Sequence, residues 1–205
     1  MITFPSQSGF SLVETLVAIT ILLLVIIGPM TIISSSANST SFASEQVVAF
    51  FLAQEGAELA QKARDDIVLN GFLPSSEGNS DPSPYATFWE ELSDETSSGQ
   101  YEDCFDSNGC GLEISENANG AIANPVLCTG SNCQLYYDSS ASNVRSRYTH
   151  DSLGNTATGF TRTITFENVN AQEIRVVSVV QWFNGSVASA QQVEVETYLF
   201  DVYGN

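Results

Sequence analysis

The chain has 205 residues, enough for one domain with an appendage but too few for two ordinary catalytic domains. Its 24 acidic and six basic residues give a formal net charge of −18, and so acidic a surface repels the phosphate backbone of nucleic acids. His150 is the only histidine, which removes most metal and triad chemistry that needs two imidazoles. These counts argue against an enzyme and against direct nucleic-acid binding.

An apolar stretch near the N-terminus predicts a membrane span. Between Phe10 and Ile33 the only charged residue is Glu14, and Thr15 to Ile33 alone supplies 19 uncharged, mainly apolar residues. About 20 such residues cross a hydrocarbon core of about 30 Å as one helix. A cleaved signal peptide is the alternative, with Ser35-Ser36-Ala37 as a weak cleavage site. The stretch is longer than a usual signal-peptide core, however, and no basic residue precedes it.

Glu14 is the unusual residue of this stretch, because a carboxylate in a membrane helix is costly unless it finds a partner. Residues 9–14 read GFSLVE and precede the apolar run, a pattern that resembles the processing site of type IV prepilins and pseudopilins. The resemblance implies that a membrane-embedded aspartyl peptidase cuts between Gly9 and Phe10 and methylates the new amino group of Phe10. It also implies that Glu14, one helical turn further on, supplies the partner of that amine on a neighbouring subunit.

The resemblance also implies a function. It implies a non-enzymatic filament subunit that needs no cofactor or metal ion, and residues 52–66 resemble minor pilins of the type IV pilus modification type. The implied partners are other pilin subunits, the prepilin peptidase, the inner-membrane assembly platform and membrane lipid. The protein would lie in the bacterial cytoplasmic membrane with its head outside, and later in a pilus or pseudopilus at the cell surface. The alternatives are a pseudopilin of a type II secretion system and a membrane-anchored adhesin or binding module with a pilin-like leader.

The expected fold class is α+β, with a long N-terminal helix packed against a C-terminal antiparallel sheet. The expected parts are a leader at 1–9, a transmembrane or filament-core helix at 10–33, its amphipathic continuation at 34–70 and a globular head at 71–205. Pro29 predicts a kink, the Ser/Thr/Asn-rich stretch 34–44 predicts a local loosening, and Gly71 predicts the C-cap. The predicted apolar face of the continuation comprises Val47, Val48, Phe51, Leu52, Leu59, Ile67 and Val68.

The cysteines of the loop-rich region 71–143 predict two disulfides. They are Cys104, Cys110, Cys128 and Cys133, and none forms the C-x2-C pair typical of structural zinc. An even number of cysteines in an exported domain favours disulfides, of which three connectivities are possible. Local pairing of the first two and of the last two is favoured, because Gly109 and Gly130 permit tight turns between the partners.

An acidic fragment, Asp106 to Gly111, gives the best match to a calcium loop. It places Asp, Asn and Gly at the first, third and sixth EF-hand positions, but Cys110 stands at the fifth and Asn117 at the twelfth, where a bidentate Glu is expected. The acidic residues of this region are therefore interpreted as a solvated surface, and no metal site is predicted.

The C-terminal third predicts a β-meander over residues 160–201. Alternating or β-branched runs predict strands at Thr161–Glu167, Ile174–Phe183 and Gln191–Asp201, and Asn184-Gly185 is a strong hairpin-turn signal. Trp182 and Tyr198 are interpreted as core or cross-strand residues. One face of this meander is expected to pack on the long helix.

Overall fold

The structure is a computed structural model, and it describes the chain in segments. Described are Gly9, residues 11–72, Leu92, residues 99–114, Gly120, and residues 122–140, 147–170, 172–183 and 189–201, with the backbone alone for 70–72. Internal contacts divide the chain into two compact units, Met1–Ser44 and Glu45–Asn205.

Helix α1 spans Leu12–Phe72 and contributes to both units. Pro29 lies inside α1, and the kink expected there stays a prediction. The helix includes Gly71 and ends at Phe72, so Gly71 does not follow the last helical residue as the C-cap prediction required. The predicted and the observed helix end differ by no more than the one or two residues by which definitions of a helix end vary.

The expected loosening over residues 34–44 is wrong, because α1 is helical throughout this stretch. Its hydroxyl groups bond to the helix itself: Ser39 Oγ donates to the Ser35 carbonyl at 3.0 Å, and Thr40 Oγ1 donates to the Ser36 carbonyl at 2.9 Å. Such bonds to a carbonyl four residues earlier satisfy the side chains without opening the helix.

Three long antiparallel strands follow in chain order at the C-terminal side of the second unit. They are β5 (Thr156–Asn170), β6 (Glu173–Trp182) and β7 (Gln191–Phe200). β6 pairs with both neighbours, and its pairing with β7 runs without interruption from Glu173↔Phe200 to Trp182↔Gln191. The predicted meander is therefore confirmed, while the Asn184-Gly185 turn lies outside the described residues.

Short elements precede the meander. They are helix α2 (Glu102–Phe105) and strands β1 (Cys110–Gly111), β2 (Val126–Leu127), β3 (Gln134–Tyr137) and β4 (Tyr148–Thr149). All four strands join one sheet with the meander, in the order β2-β1-β5-β3-β4, because the long β5 pairs with both β1 and β3. The region expected to be irregular thus extends the sheet.

In the second unit, α1 packs on the sheet through small residues. The buried positions of this helix segment are Ala49, Leu52, Ala53, Gly56, Ala57, Leu59, Ala60, Ala63 and Ile67. Val47 and Phe51, placed on the apolar face by the sequence, are 56% and 63% exposed, so that part of the prediction is wrong. Alanine and glycine let the helix backbone come close to the strands, which turns the larger side chains outward.

The core of the second unit lies between α1 and the inner face of the meander. Leu59 and Ile67 of the helix meet Ile164, Ile174 and Leu199 of the three long strands, all of them buried. The prediction of an α+β fold with a long helix, an antiparallel sheet and two disulfides is confirmed. The domain boundaries at 9, 33 and 70 stay predictions.

Candidate functional site

The predicted processing segment lies at the start of α1. Gly9 is exposed, and a Cβ atom added to it would meet no described atom within 4 Å. Phe10 lies outside the described residues. Glu14 lies exposed in the first turn of the helix, where a carboxylate compensates the positive end of the helix dipole. Gly9 and Glu14 are thus both accessible around the beginning of the helix.

The first part of α1 presents an apolar surface on all sides. Its large aliphatic side chains from Leu12 to Ile33 are exposed, Leu24 to 74%. Among the described residues, α1 is the one helix long and apolar enough to cross a membrane, and none of its most apolar window is buried. Core helices of soluble proteins are mostly buried, so this exposure favours an apolar surrounding such as lipid or other helices.

Both disulfides are local. Cys104 bonds to Cys110 with Cα atoms 4.6 Å apart, and Cys128 bonds to Cys133 with Cα atoms 5.1 Å apart. The first bridge joins α2 to β1. Gly109, at φ 69°, takes the left-handed conformation in the turn before Cys110. The pairing favoured from the sequence is the one in the structure.

The Asp106 carboxylate stabilises a turn. Its Oδ1 atom accepts hydrogen bonds from the backbone N and the side-chain Nδ2 of Asn108, both at 2.8 Å. Cys110, at the fifth position of the calcium-loop pattern, is in a disulfide. Over the part of the chain that the structure describes, no three His, Cys, Asp or Glu side chains group in a way that could hold a metal ion.

A buried arginine joins the helix to the sheet. Arg162, on β5, is fully buried, and its Nη1 donates to Glu55 Oε2 on α1 at 2.9 Å and to the Leu52 carbonyl at 3.4 Å. Its Nη2 donates to the Leu112 carbonyl, just after β1, at 2.9 Å. Burial lowers the pKa of Arg162, and the Glu55 carboxylate opposes that shift. Arginine nevertheless stays charged in proteins, so Arg162 holds three segments through charge-assisted bonds.

The position of this arginine in its strand indicates that it is buried, although the alternating pattern by itself does not show what pairs with it. Arg162 shares its strand face with Ile164 and Phe166, which are the buried residues of β5. A basic residue in phase with buried apolar residues requires an acidic partner on the element packed over it. Glu55 on α1 is that partner.

His150 and Glu113 lie beside the same arginine. Glu113 Oε2 accepts hydrogen bonds from the backbone N of His150 at 2.8 Å and from Thr149 Oγ1 at 2.7 Å. Burial, and then the Arg162 charge, lower the pKa of the His150 imidazole to about 4, although Glu113 opposes the shift. His150 is therefore neutral at pH 7.

The outer face of the meander carries a second charged group. Arg175 on β6 donates to Glu167 Oε2 on β5 and to Glu196 Oε2 on β7, each at 2.9 Å. The Tyr198 hydroxyl also donates to Glu196. Hydrogen bonds from Arg175, and then from Tyr198, lower the pKa of the Glu196 carboxyl. Tyr198 lies opposite Arg175, whereas Trp182 is buried, so the two aromatic residues take the cross-strand and core positions expected of them.

Comparison with known families finds a match for one segment of the chain. Residues 5–28 match the family described as the prokaryotic N-terminal methylation motif. Neither the curated proteins nor the solved structures contain a match. The matched residues include Gly9, Glu14 and the start of the apolar helix, so the sequence motif and the accessible helix beginning coincide.

Proposed function

We propose that this chain, which carries the N-terminal methylation motif of the type IV prepilin and pseudopilin family, is a minor pilin. It acts as a non-enzymatic structural subunit that enters or primes a type IV pilus after its leader is removed. The observation that carries the proposal is the motif over residues 5–28, which runs into an exposed apolar helix.

In this proposal Gly9 and Phe10 form the bond that the prepilin peptidase cuts, and the amino group of Phe10 is then methylated. The exposed position of Gly9 supports this, because a protease needs an accessible peptide bond. Glu14 is the assembly residue. Its carboxylate forms an ion pair with the new amino group when helices of neighbouring subunits pack in an apolar filament core.

The chain is anchored in the cytoplasmic membrane by α1 before assembly, with the disulfide-bearing part outside. The apolar surface of the helix supports the anchoring. The two disulfides support an exported location, because disulfides persist outside the reducing cytosol. The partners are other pilin subunits, the inner-membrane assembly platform and membrane lipid.

A pseudopilin of a type II secretion system is the close alternative, because prepilins and pseudopilins share the methylation motif. Recovery of the protein in sheared surface filaments separates the two, since a secretion pseudopilus does not normally extend from the cell. Absence from sheared filaments, with loss of secretion when the gene is deleted, would favour the pseudopilin.

The proposal is tested by processing in the native host. Mature protein should begin with N-methylated Phe10, as determined by mass spectrometry of its N-terminal peptide, and Gly9→Val should leave the full-length chain in the membrane. Gly28→Val is a matched control, because Gly28 also has no described atom within 4 Å of an added Cβ. A mature terminus near Ala37 would show an ordinary signal peptide instead and would refute the proposal.

A further inference from the structure

Strand β7 forms a long and regular edge of the sheet. Among the described strands it pairs only with β6, through ten consecutive residue pairs without a bulge, and its sequence QQVEVETYLF contains neither proline nor lysine. The opposite margin of the sheet ends in β2 and β4, which are two residues long. Natural edge strands are usually protected by shortness, bulges, proline or charged side chains, lysine above all. Of these features β7 has only charged side chains, and both are carboxylates, Glu194 and Glu196.

The hydrogen-bond pattern between β6 and β7 shows which backbone groups of β7 point away from β6. The Asp201 amide donates to the Gln172 carbonyl at 2.9 Å, and in an antiparallel pair every second residue is bonded to the partner strand. Counting back along the uninterrupted register, Val193, Val195, Thr197 and Leu199 are bonded to β6. Glu194, Glu196 and Tyr198 therefore direct their backbone N–H and C=O groups toward the edge.

The side chains of β7 make one face of this edge apolar and the other face acidic. Thr197 faces α1, where its Oγ1 accepts a hydrogen bond from Gln61 Nε2 at 3.0 Å, so Val193 and Val195 lie on the same inner face, each half-buried. Glu194 and Glu196 lie on the outer face, with Glu194 exposed. An added strand would thus cover apolar surface on one side and meet two carboxylates on the other, Glu194 and the Glu196 group to which Arg175 and Tyr198 donate.

A second copy of this chain is a poor occupant. Antiparallel pairing of two β7 strands about Val195 sets Glu194 of each copy opposite Glu196 of the other, and pairing about Glu194 sets the two Glu194 carboxylates opposite each other. Like charges directly opposite destabilise a strand pair. The formal net charge of −18 on each chain adds to the repulsion.

We propose that β7 binds an extended segment of another protein, which adds to the sheet as a further strand and carries lysine or arginine at alternate positions. The basic side chains face Glu194 and Glu196, and the residues between them cover Val193 and Val195. Main-chain hydrogen bonds supply affinity and the alternating side chains supply specificity, as in other strand additions. The inference concerns the second unit alone, and it does not depend on processing or filament assembly.

The test uses the full chain in detergent micelles and a synthetic peptide of the length of β7 that alternates lysine with valine. Amide hydrogen exchange is followed residue by residue. In the chain alone, the amides of Glu194, Glu196 and Tyr198 should exchange fast, and those of Val193 and Val195 slowly. The peptide should protect the three fast amides, whereas a glutamate–valine peptide should not.

Two variants separate strand pairing from attraction between charges. Glu194→Gln removes one charge and should weaken binding about twofold to fivefold, the usual range for one cross-strand charge pair. Glu194→Pro removes the same charge together with the outward N–H, and should weaken binding by a further tenfold or so. Glu102→Gln, which neutralises an exposed carboxylate on α2, is the control for net charge.

Peptides methylated on alternate amide nitrogens keep the proposal testable if the proline variant does not fold. Methylation in one phase blocks the donors that face β7 and should abolish binding, while methylation in the other phase should leave it. Equal binding of both methylated peptides would show attraction between charges alone and would overturn the proposal. Slow exchange of Glu194, Glu196 and Tyr198 in the chain without peptide would show that the chain or a second copy covers the edge, and would overturn it as well.

Discussion

Arg162 is a single buried charge that determines how helix α1 packs on strand β5. It is fully buried, and it reaches Glu55 on α1 and the Leu112 carbonyl after β1. Burial of an ion is costly unless its partners are in place, so these bonds define which helix position can lie over which strand position. The neighbouring His150 is affected in turn, because burial, and then the Arg162 charge, disfavour a protonated imidazole.

The stability of the second unit should therefore fall as the pH is lowered from 7 to 5. The His150 pKa is about 4 in the folded chain against an ordinary value of 6.5, so the unfolded chain binds the proton more readily across this range. The stabilisation is fully present above pH 6.5, and by pH 5 it decreases by roughly 2 kcal/mol. Urea unfolding followed by tryptophan fluorescence measures this change.

His150→Gln is the control for this pH dependence, because it keeps a polar side chain but cannot be protonated. It should remove most of the decrease between pH 7 and pH 5. An unchanged decrease in this variant would assign the effect to other groups.

At the scale of the element, the close approach of α1 to β6 depends on a residue without a side chain. A Cβ atom on Gly56 would overlap Ser178 Oγ and would lie 3.1 Å from Arg162 Cδ. Gly56 costs about 1 kcal/mol of helix propensity relative to alanine. The helix keeps it because the buried Arg162 and Ser178 leave no room for a methyl group.

Gly56→Ala should destabilise the second unit although alanine favours helix. Overpacking of a close contact typically costs about 1–3 kcal/mol, which exceeds the gain in propensity. Urea unfolding of the full chain measures the difference. Ser178→Ala removes the overlapping oxygen, which has no hydrogen-bond partner among the described residues, so the double variant should recover most of the loss. Gly56→Ala that is more stable than the original chain would contradict the close approach.

The elements also show where sequence reasoning succeeds. The three meander strands were predictable because each carries an alternating or β-branched run longer than a turn of helix, and β5, β6 and β7 lie where those runs lie. The strands β1 to β4 were not predictable, because two to four residues carry no period and their pairing depends on the length of β5. The prediction that Val47 and Phe51 lie on the buried face was wrong, because it gave large apolar side chains more weight than the alanines of the same helix.

At the scale of the whole molecule, one segment carries the methylation motif and another carries most of the architecture. The N-terminal methylation motif was predictable because GFSLVE is a local pattern that no tertiary contact needs to complete. The Arg162 group was not, since it joins Glu55, Leu112 and His150 from distant parts of the chain. Assembly should accordingly be separable from folding.

Glu14→Ala tests that separation. The variant should be cleaved after Gly9 and should keep the stability of the second unit, because Glu14 belongs to the first unit. Its recovery in sheared filaments should fall sharply, since leaving a buried amine without its partner typically costs about 3–5 kcal/mol. Comparison of processed protein in membranes and in filaments measures this.

Glu58→Ala is the matched control, an exposed glutamate of the same helix within the second unit. It should assemble as the original chain does. Undiminished recovery of Glu14→Ala in filaments would show that Glu14 is not an assembly residue, and loss of cleavage would assign it to recognition by the peptidase.

The two disulfides have a consequence for how the chain matures. Each cysteine is bonded to its nearest neighbour along the chain, with separations of six and five residues. Closing so short a loop costs less entropy than closing a longer one and takes about 100 ns or less. A chain oxidised in the order in which its cysteines emerge therefore pairs each cysteine with its native partner. Its oxidation needs an electron acceptor but no isomerase to correct the pairing.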